Sequence, residues 1–240
     1  MTVDKRAIFD EESRYLDRFG LLLALTVTSV VMLSLVDLSD VRSDRPQQAV
    51  ALAASSLTAL ALLVALRAAG LARRWQRLAD VLIVMGVLAS ALLVATGQTN
   101  GLTGGPATTP PALALVLALL APIVVARRLL THRWVRRETL LGAVSVYLLI
   151  AVAFFYVFLT VDLTQSSTFF AQAEPTSNLM YFSLTTITTV GYGDLFAVAQ
   201  PGRLFANAEA VIGQLYLVTF VGLLIGIFTA QSRDKRRARG

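Results

Sequence analysis

The chain has 240 residues, of which 56% are hydrophobic and only 15% are charged. Soluble domains contain roughly 45–50% apolar and about 25% charged residues, so this balance excludes an ordinary soluble fold and predicts an integral membrane protein. There is no cysteine, which excludes a disulfide partner, a thiolate metal site and a catalytic thiol. The formal charge of +6 comes from short basic clusters between apolar runs, which favours membrane topology over nucleic-acid binding.

The N-terminal segment, residues 1–19, carries charges of both signs and no apolar run, so it is predicted to be neither a signal peptide nor a span. Ile8, Phe9, Tyr15, Leu16 and Phe19 recur at helical spacing, which is typical of an interfacial helix. A partly solvated segment that only positions the first span explains the same residues equally well.

Six apolar runs follow, and each predicts a transmembrane helix. They cover residues 20–36, 49–66, 81–96, 112–126, 140–161 and 204–230. A helix needs roughly 20 residues to cross about 30 Å of hydrocarbon, so the shorter runs must include flanking residues. A further run, 178–188, is too short to cross and predicts a re-entrant helix. Such a segment is tolerated only when the chain after it is buried in protein or lines a water-filled path.

Most Lys and Arg residues lie in the N-terminal segment, in the loops after the second and fourth runs, and in the C-terminal tail. Because basic loops stay in the cytoplasm, both termini are predicted to be cytoplasmic, in a multi-pass protein of the cell membrane. The predicted organisation is a cytoplasmic segment (1–19), a four-helix domain (20–131), a linker (132–138), a pore domain (139–231) and a basic cytoplasmic tail (232–240). The linker length leaves open whether the four-helix domain packs on its own pore helices or on those of a neighbouring chain.

One short stretch indicates a chemistry: residues 188–194 read Thr-Thr-Val-Gly-Tyr-Gly-Asp. A dehydrated cation must be surrounded by oxygens in place of its water. Successive carbonyls can point at one axis only where the backbone alternates between ordinary and left-handed angles. Glycine reaches left-handed angles without a Cβ penalty, which accounts for Gly191 and Gly193. A plain glycine-containing turn between two helices is the alternative interpretation.

This stretch, together with residues 181–187 before it, resembles the selectivity filter of potassium channels. The order of the apolar runs resembles bacterial six-transmembrane channels of the voltage-gated-like type. The resemblance implies an all-α membrane protein, with six transmembrane helices, a re-entrant pore helix and a filter, and with four chains around one pore. The ion-binding residues that it implies are Thr189, Val190, Gly191, Tyr192 and Gly193, with K+ held at the first four. The side chains of Val190 and Tyr192 would point away from the ion and pack around the filter.

The residues that would support the filter depart from the family pattern. By resemblance they are Thr188, Asp194, Tyr181 and Thr185. Many channels of this family carry a Trp pair where this chain has Tyr181 and Phe182, and some carry a Glu where it has Thr185. Without that Glu, we expect Asp194 to be held by Tyr181 or by backbone groups.

The pore domain is predicted to comprise an outer helix (140–161), the pore helix (177–188) and an inner helix (204–230). Gly213 is either a gating hinge or a site of close helix packing. The resemblance implies that Gln214, Leu217, Val221 and Ile225 line the cavity. Glu209 lies inside the last span, where an ionisable group is costly, and we expect a buried hydrogen bond there and not an ion-binding role.

The fourth run, 112–126, contains no Arg or Lys, whereas a voltage sensor needs a basic residue at every third position. Arg127 and Arg128 follow at its cytoplasmic end, and Pro122 would kink the helix. The sequence therefore predicts a sensor-shaped domain that responds weakly or not at all to voltage. His132, the single histidine, is either a cytoplasmic pH sensor or a solvated loop residue.

The predicted function is passive, potassium-selective conduction through a homotetramer. No cofactor is expected, K+ being the permeant ion, and the expected partners are other copies of the chain and membrane lipid, with no nucleic acid. The alternatives are a voltage-gated channel with few gating charges, a potassium-transport subunit, a non-conducting accessory subunit and a non-selective cation channel. An enzyme is disfavoured, because the sequence has no nucleotide-binding loop and no carboxylate–histidine cluster.

Overall fold

The computed structural model describes residues 5–35, 111–130, 137–165 and 168–237, together with the single positions Leu60, Val64 and Val81. Within them the backbone is helical or irregular, and no strand is present. The helices are α1 (Lys5–Leu35), α2 (Pro111–Leu130), α3 (Arg137–Thr164), α4 (Thr176–Ile187), α5 (Gln200–Leu215), a π-helical segment (Tyr216–Val221) and α6 (Gly222–Arg237). Apart from the three single positions, the predicted spans at 49–66 and 81–96 lie outside the described residues, as does His132. The complete six-span plan therefore stays a prediction.

Helix α3 lies at the centre of the described helices and packs against α1, α2, α4 and α5. The helices α1 and α2 meet it at Gly142, where an added Cβ would lie 2.9 Å from Leu129 Cδ2 and 2.9 Å from Phe19 Cδ1. A residue without a side chain thus lets three helices cross closely. The sequence left open which chain's pore helices the N-terminal helices pack on, and in this structure α1 and α2 pack on α3 of the same chain.

Two helices among the described residues are long and apolar enough to cross a membrane, Thr139–Thr164 and Gln200–Ile227. A shorter apolar helix covers Phe19–Leu35. In the apolar part of Thr139–Thr164, 72% is buried inside the protein, whereas in the apolar part of Gln200–Ile227 only 11% is buried. The predicted inner helix, formed by α5, the π-helical segment and α6, therefore leaves most of its apolar surface uncovered in the single chain.

The helices extend beyond the apolar runs that predicted them. Helix α1 continues without a break across the predicted boundary between residues 19 and 20. Helix α3 begins at Arg137, inside the predicted linker, and the inner helix continues to Arg237, inside the predicted tail. The physical reason is that hydropathy marks only the part of a helix in hydrocarbon, whereas the backbone hydrogen-bond ladder continues into polar flanks.

A π-helical segment, Tyr216–Val221, interrupts the inner helix. The Thr219 hydroxyl donates to the Leu215 carbonyl, which a regular helix uses for a backbone amide. The Tyr216 hydroxyl donates to the Ala143 carbonyl of α3 at 2.8 Å. Wide turns of this kind are frequent at functional positions of helices. The irregular backbone lies just beyond Gly213, where the sequence suggested either a hinge or close packing.

Candidate functional site

The backbone of residues 189–193 alternates in handedness. Among the described residues, positive φ angles occur at Thr189 (58°), Gly191 (50°) and Gly193 (81°). Every second residue is therefore left-handed, and such alternation allows successive carbonyls to face the same side of the chain. The two glycines were predicted to have left-handed angles, but Thr189 was not, because nothing in its residue type indicates such a conformation.

Thr189 is a strained residue, since a β-branched side chain at positive φ costs of order 1–3 kcal/mol. The end of α4 holds it in place. Its amide donates to the Thr186 carbonyl at 2.9 Å, and the Val190 and Gly191 amides donate to the Thr185 carbonyl at 2.9 and 3.2 Å. Thr185, predicted as a support residue, thus acts through its backbone. Strain that is held by surrounding hydrogen bonds is a common mark of a functional site.

The middle of α4 is anchored by aromatic packing. Phe182 lies in a cluster with Phe158 of α3 and with Phe169 and Phe170 of the preceding loop, with ring centroids 4.9 to 5.7 Å apart. Edge-on and tilted aromatic pairs add roughly 0.5–1.5 kcal/mol beyond area burial. Phe182 therefore fills a buried site, at the position where many channels of the family that the sequence resembles carry Trp. Sequence analysis missed Phe169 and Phe170, because loop aromatics carry no periodic signal.

Tyr181 and a backbone amide hold Asp194, the two kinds of partner expected for it. The Tyr181 hydroxyl donates to Asp194 Oδ2 at 2.8 Å, and the Leu195 amide donates to Asp194 Oδ1 at 3.0 Å. The ring of Tyr181 also stacks on Tyr192, with centroids 6.3 Å apart and planes 5° from parallel. The Thr185 hydroxyl instead donates to the Phe182 carbonyl of its own helix at 3.1 Å. Tyr181 therefore contacts both Tyr192 of the predicted filter and the carboxylate of Asp194.

In the channel that the sequence predicts, the pH response of the outer mouth should depend on Tyr181. Its hydrogen bond, partly opposed by desolvation, lowers the pKa of Asp194 from the ordinary carboxyl value. The support from an ionised Asp194 is present above the ordinary pKa and is lost as the external pH falls through the lowered pKa. In Tyr181→Phe the pKa should rise, so acid should inhibit potassium flux at a higher external pH than in the wild type. Flux measured against external pH tests this expectation.

Asp194→Asn is the matched control, because it removes the titrating group and should remove the acid step. An unchanged midpoint in Tyr181→Phe would count against the assigned role of the hydrogen bond.

The last residue of α4, Ile187, is held between α3 and α5. The Tyr147 hydroxyl of α3 donates to the Ile187 carbonyl at 2.8 Å. From the other side Gly213 approaches so closely that an added Cβ would lie 2.6 Å from Ile187 Cγ1 and 3.0 Å from the Ile187 carbonyl oxygen. Gly213 therefore serves close helix packing here, and its use as a hinge stays a prediction. The next residue, Thr188, donates its hydroxyl to the Leu184 carbonyl at 2.6 Å.

Gln214 lies beside the first residue of the stretch 189–193, where its Nε2 donates to Thr189 Oγ1 at 3.4 Å. Of the other residues expected to line a cavity, Leu217 and Ile225 are exposed in the single chain, and Val221 is half-buried against the core. Leu217 and Val221 belong to the π-helical segment. Regular helical spacing does not hold there, so the cavity-lining assignment stays a prediction.

The polar group inside the last span, Glu209, is buried and hydrogen-bonded. Its Oε1 lies 2.5 Å from Ser183 Oγ on α4, and Ser183 Oγ lies 2.8 Å from the Ala151 carbonyl on α3. The expectation of a buried hydrogen bond for Glu209 is confirmed. Ser183 was missed, since a lone Ser in a short helix carries no distinguishing signal.

The match to known families falls on the part of the chain that contains this geometry. Residues 142–230 match the family model described as ion channel. The region begins at the crossing point on α3, includes α4 and the alternating backbone, and ends in the inner helix. It covers well under half of the chain.

Individual relatives match over a shorter length. Potassium voltage-gated channel subfamily A member 6 of Mus musculus, of Rattus norvegicus and of Homo sapiens are each 28% identical to the chain over 81 residues. The aligned part is 31% of this chain and 15% of the length of each relative. No solved structure gives a match. These comparisons support an ion channel in a membrane, and the chain is not an enzyme.

Proposed function

We propose that the chain conducts K+ selectively and passively, through a pore formed by four copies. The observation that carries the proposal is the alternating backbone at Thr189, Gly191 and Gly193, which directly follows a helix too short to span a membrane. Short helices followed by irregular backbone are tolerated at membrane depth when they line a water-filled path.

Coordination of a dehydrated ion follows from the oxygens available. The carbonyls of Thr189, Val190, Gly191 and Tyr192 replace the ion's water, and Gly193 completes the left-handed alternation. The Thr189 hydroxyl adds an oxygen at the inner end. A hydroxyl has two lone pairs, so accepting a hydrogen bond from Gln214 leaves one for the ion.

Assembly as a tetramer is supported by what a single chain leaves incomplete. One strand of carbonyls can meet an ion from one side only, and a closed cyclic arrangement supplies the other sides. The inner helix has an uncovered apolar face at Leu204, Val211, Leu215 and Val218, with side-chain exposures of 66%, 58%, 57% and 71%. Neighbouring copies and membrane lipid would cover it, in a six-span protein of the cell membrane with both termini in the cytoplasm.

Potassium flux into liposomes that contain the purified protein tests the proposal, with the permeability relative to sodium as the readout. Selective K+ uptake driven by the ion gradient alone is the expected result. Sodium permeating as well as potassium would overturn selectivity, and the absence of any flux would favour an accessory or transport subunit.

Weak voltage dependence is a second expectation. In α2 the basic residues are Arg127 and Arg128, both in the last turn, so few charges lie where the membrane field acts. Each unit charge moved through the field is worth about 2.3 kcal/mol per 100 mV, and steep gating needs several such charges. Conductance in planar bilayers should therefore change only gradually with voltage. It should keep that shallow slope in Arg127→Gln/Arg128→Gln, whereas a steep rise that this double variant abolishes would indicate a voltage-gated channel with few gating charges.

A further inference from the structure

Three helices of the pore region meet at a single buried hydroxyl. Ser183 on α4 and Glu209 on α5 are both fully buried, and the Ala151 carbonyl belongs to α3. The distances from Ser183 Oγ are 2.5 Å to Glu209 Oε1 and 2.8 Å to the Ala151 oxygen. The second carboxylate oxygen, Oε2, is buried and has no hydrogen-bond partner among the described residues.

The single hydroxyl hydrogen of Ser183 decides which atoms donate and which accept in these two contacts. Ser183 has one hydroxyl hydrogen but two oxygens within hydrogen-bond distance, and a backbone carbonyl can only accept. If the hydrogen points to Glu209, the hydroxyl oxygen faces the Ala151 carbonyl with lone pairs opposed at 2.8 Å. Both contacts are hydrogen bonds only when Ser183 donates to Ala151 and Glu209 itself donates to Ser183. That arrangement requires a neutral carboxylic acid.

The surroundings of the Glu209 carboxyl group also favour the neutral, protonated form. A buried carboxylate is costly unless it is paired with a positive charge and its remaining lone pairs are hydrogen-bonded. The basic side chain nearest in sequence, Arg203, instead donates its Nε to the Ala197 carbonyl at 2.9 Å. Among the described residues, the Tyr147 hydroxyl of α3 is a further titratable group near this junction, and it donates to the Ile187 carbonyl at 2.8 Å. Neither group compensates a charge on Glu209.

We propose that Glu209 is a neutral positioning residue, whose carboxylic acid donates to Ser183 while Ser183 donates to the Ala151 carbonyl. The relay joins α5, α4 and α3 at the middle of α4. The far end of α4 supplies the Thr185 and Thr186 carbonyls that hold the start of the filter. Glu209 thus fixes the position of the filter without contacting the ion. The effect on conduction rests on the proposed potassium-channel function, whereas the protonation of Glu209 does not.

Infrared spectroscopy of the full chain in lipid vesicles tests the protonation directly. At neutral pH the wild type minus Glu209→Gln difference spectrum should contain the carbonyl stretch of a protonated carboxyl group that exchanges slowly with deuterium. A difference spectrum that contains only carboxylate bands would overturn the proposal. The outcome is independent of any ion flux.

Permeability ratios test the positioning role. Because an amide can donate to Ser183 as the acid does, Glu209→Gln should keep the wild-type K+/Na+ permeability ratio. Glu209→Ala leaves the Ser183 oxygen without its donor, so the ratio should fall about tenfold, as an unsatisfied buried polar group implies. Ser183→Ala/Glu209→Leu replaces both partners by apolar groups, so its K+/Na+ permeability ratio should be no lower than that of Glu209→Ala.

An impairment of Glu209→Gln as large as that of Glu209→Ala would contradict the relay. Failure of Glu209→Ala to fold, with Glu209→Gln folding normally, would support it. If the wild type shows no selective K+ flux, the proposed function fails, and the infrared spectrum still decides the protonation of Glu209.

Discussion

Alanine in place of Gly191 should abolish selective potassium flux. Gly191 has φ +50°, and an added Cβ would meet nothing within 4 Å in the single chain, so the penalty lies in the backbone and not in packing. A left-handed conformation costs an L-residue about 1–2 kcal/mol, and in the proposed tetramer each of the four chains would carry that cost around one ion path. The left-handed filter conformation would then be rarely populated, and flux in liposomes measures its loss.

The control for this substitution is Gly222→Ala. Gly222 lies at the start of α6 in regular helical conformation, and its added Cβ also has nothing within 4 Å in the single chain. Flux through Gly222→Ala should match the wild type. The unfolding temperature of Gly191→Ala should fall only slightly, since the cost is confined to the backbone of one residue in each chain and the substitution touches no packed core. Selective flux that survives in Gly191→Ala would show that the left-handed angle is not required for conduction.

The sequence was most informative where residue type alone decides conformation or environment. Gly191 and Gly193 were predicted to be left-handed because other residues are penalised there. The burial and hydrogen bond of Glu209 followed from its place within an apolar run. The short helix before residues 189–193 was predicted to within a residue at each end, because its short apolar run marks its extent.

What could not be predicted depends on contacts between segments distant in the chain. The left-handed angle of Thr189 is imposed by amide–carbonyl bonds around the end of α4, and the residue type itself disfavours it. The π-helical segment coincides with a Thr219 hydroxyl hydrogen bond to the Leu215 carbonyl and a Tyr216 hydrogen bond to α3. The spacing of apolar residues along a helix carries no information about either hydrogen bond. The cavity-lining residues were implied by the family resemblance, which assumes a regular helix through this same segment, so their assignment needs a direct test.

Gly213 offers the sharpest test between two interpretations that the sequence left equal. In Gly213→Ala the new Cβ would press on Ile187 Cγ1 and on the Ile187 carbonyl, at 2.6 and 3.0 Å. That carbonyl already accepts a hydrogen bond from Tyr147 and ends the helix that holds the filter, so it has little freedom to move. Overpacking of this kind costs about 1–3 kcal/mol, and we expect a lower unfolding temperature together with weaker K+ selectivity.

A hinge would respond differently to the same change. Alanine is a better helix former than glycine by about 0.8–1 kcal/mol, and it also restrains bending of the helix. If Gly213 acts only as a hinge, Gly213→Ala should therefore give a more stable protein with an altered open probability. Gly222→Ala, which meets no neighbour in the single chain, should show that stabilising effect. Unfolding temperature and permeability ratio therefore separate the two roles. If Gly213 serves close packing, alanine can fit only when the end of α4 shifts, and such a shift should weaken selectivity. A stabilised Gly213→Ala protein with unchanged selectivity would therefore favour the hinge.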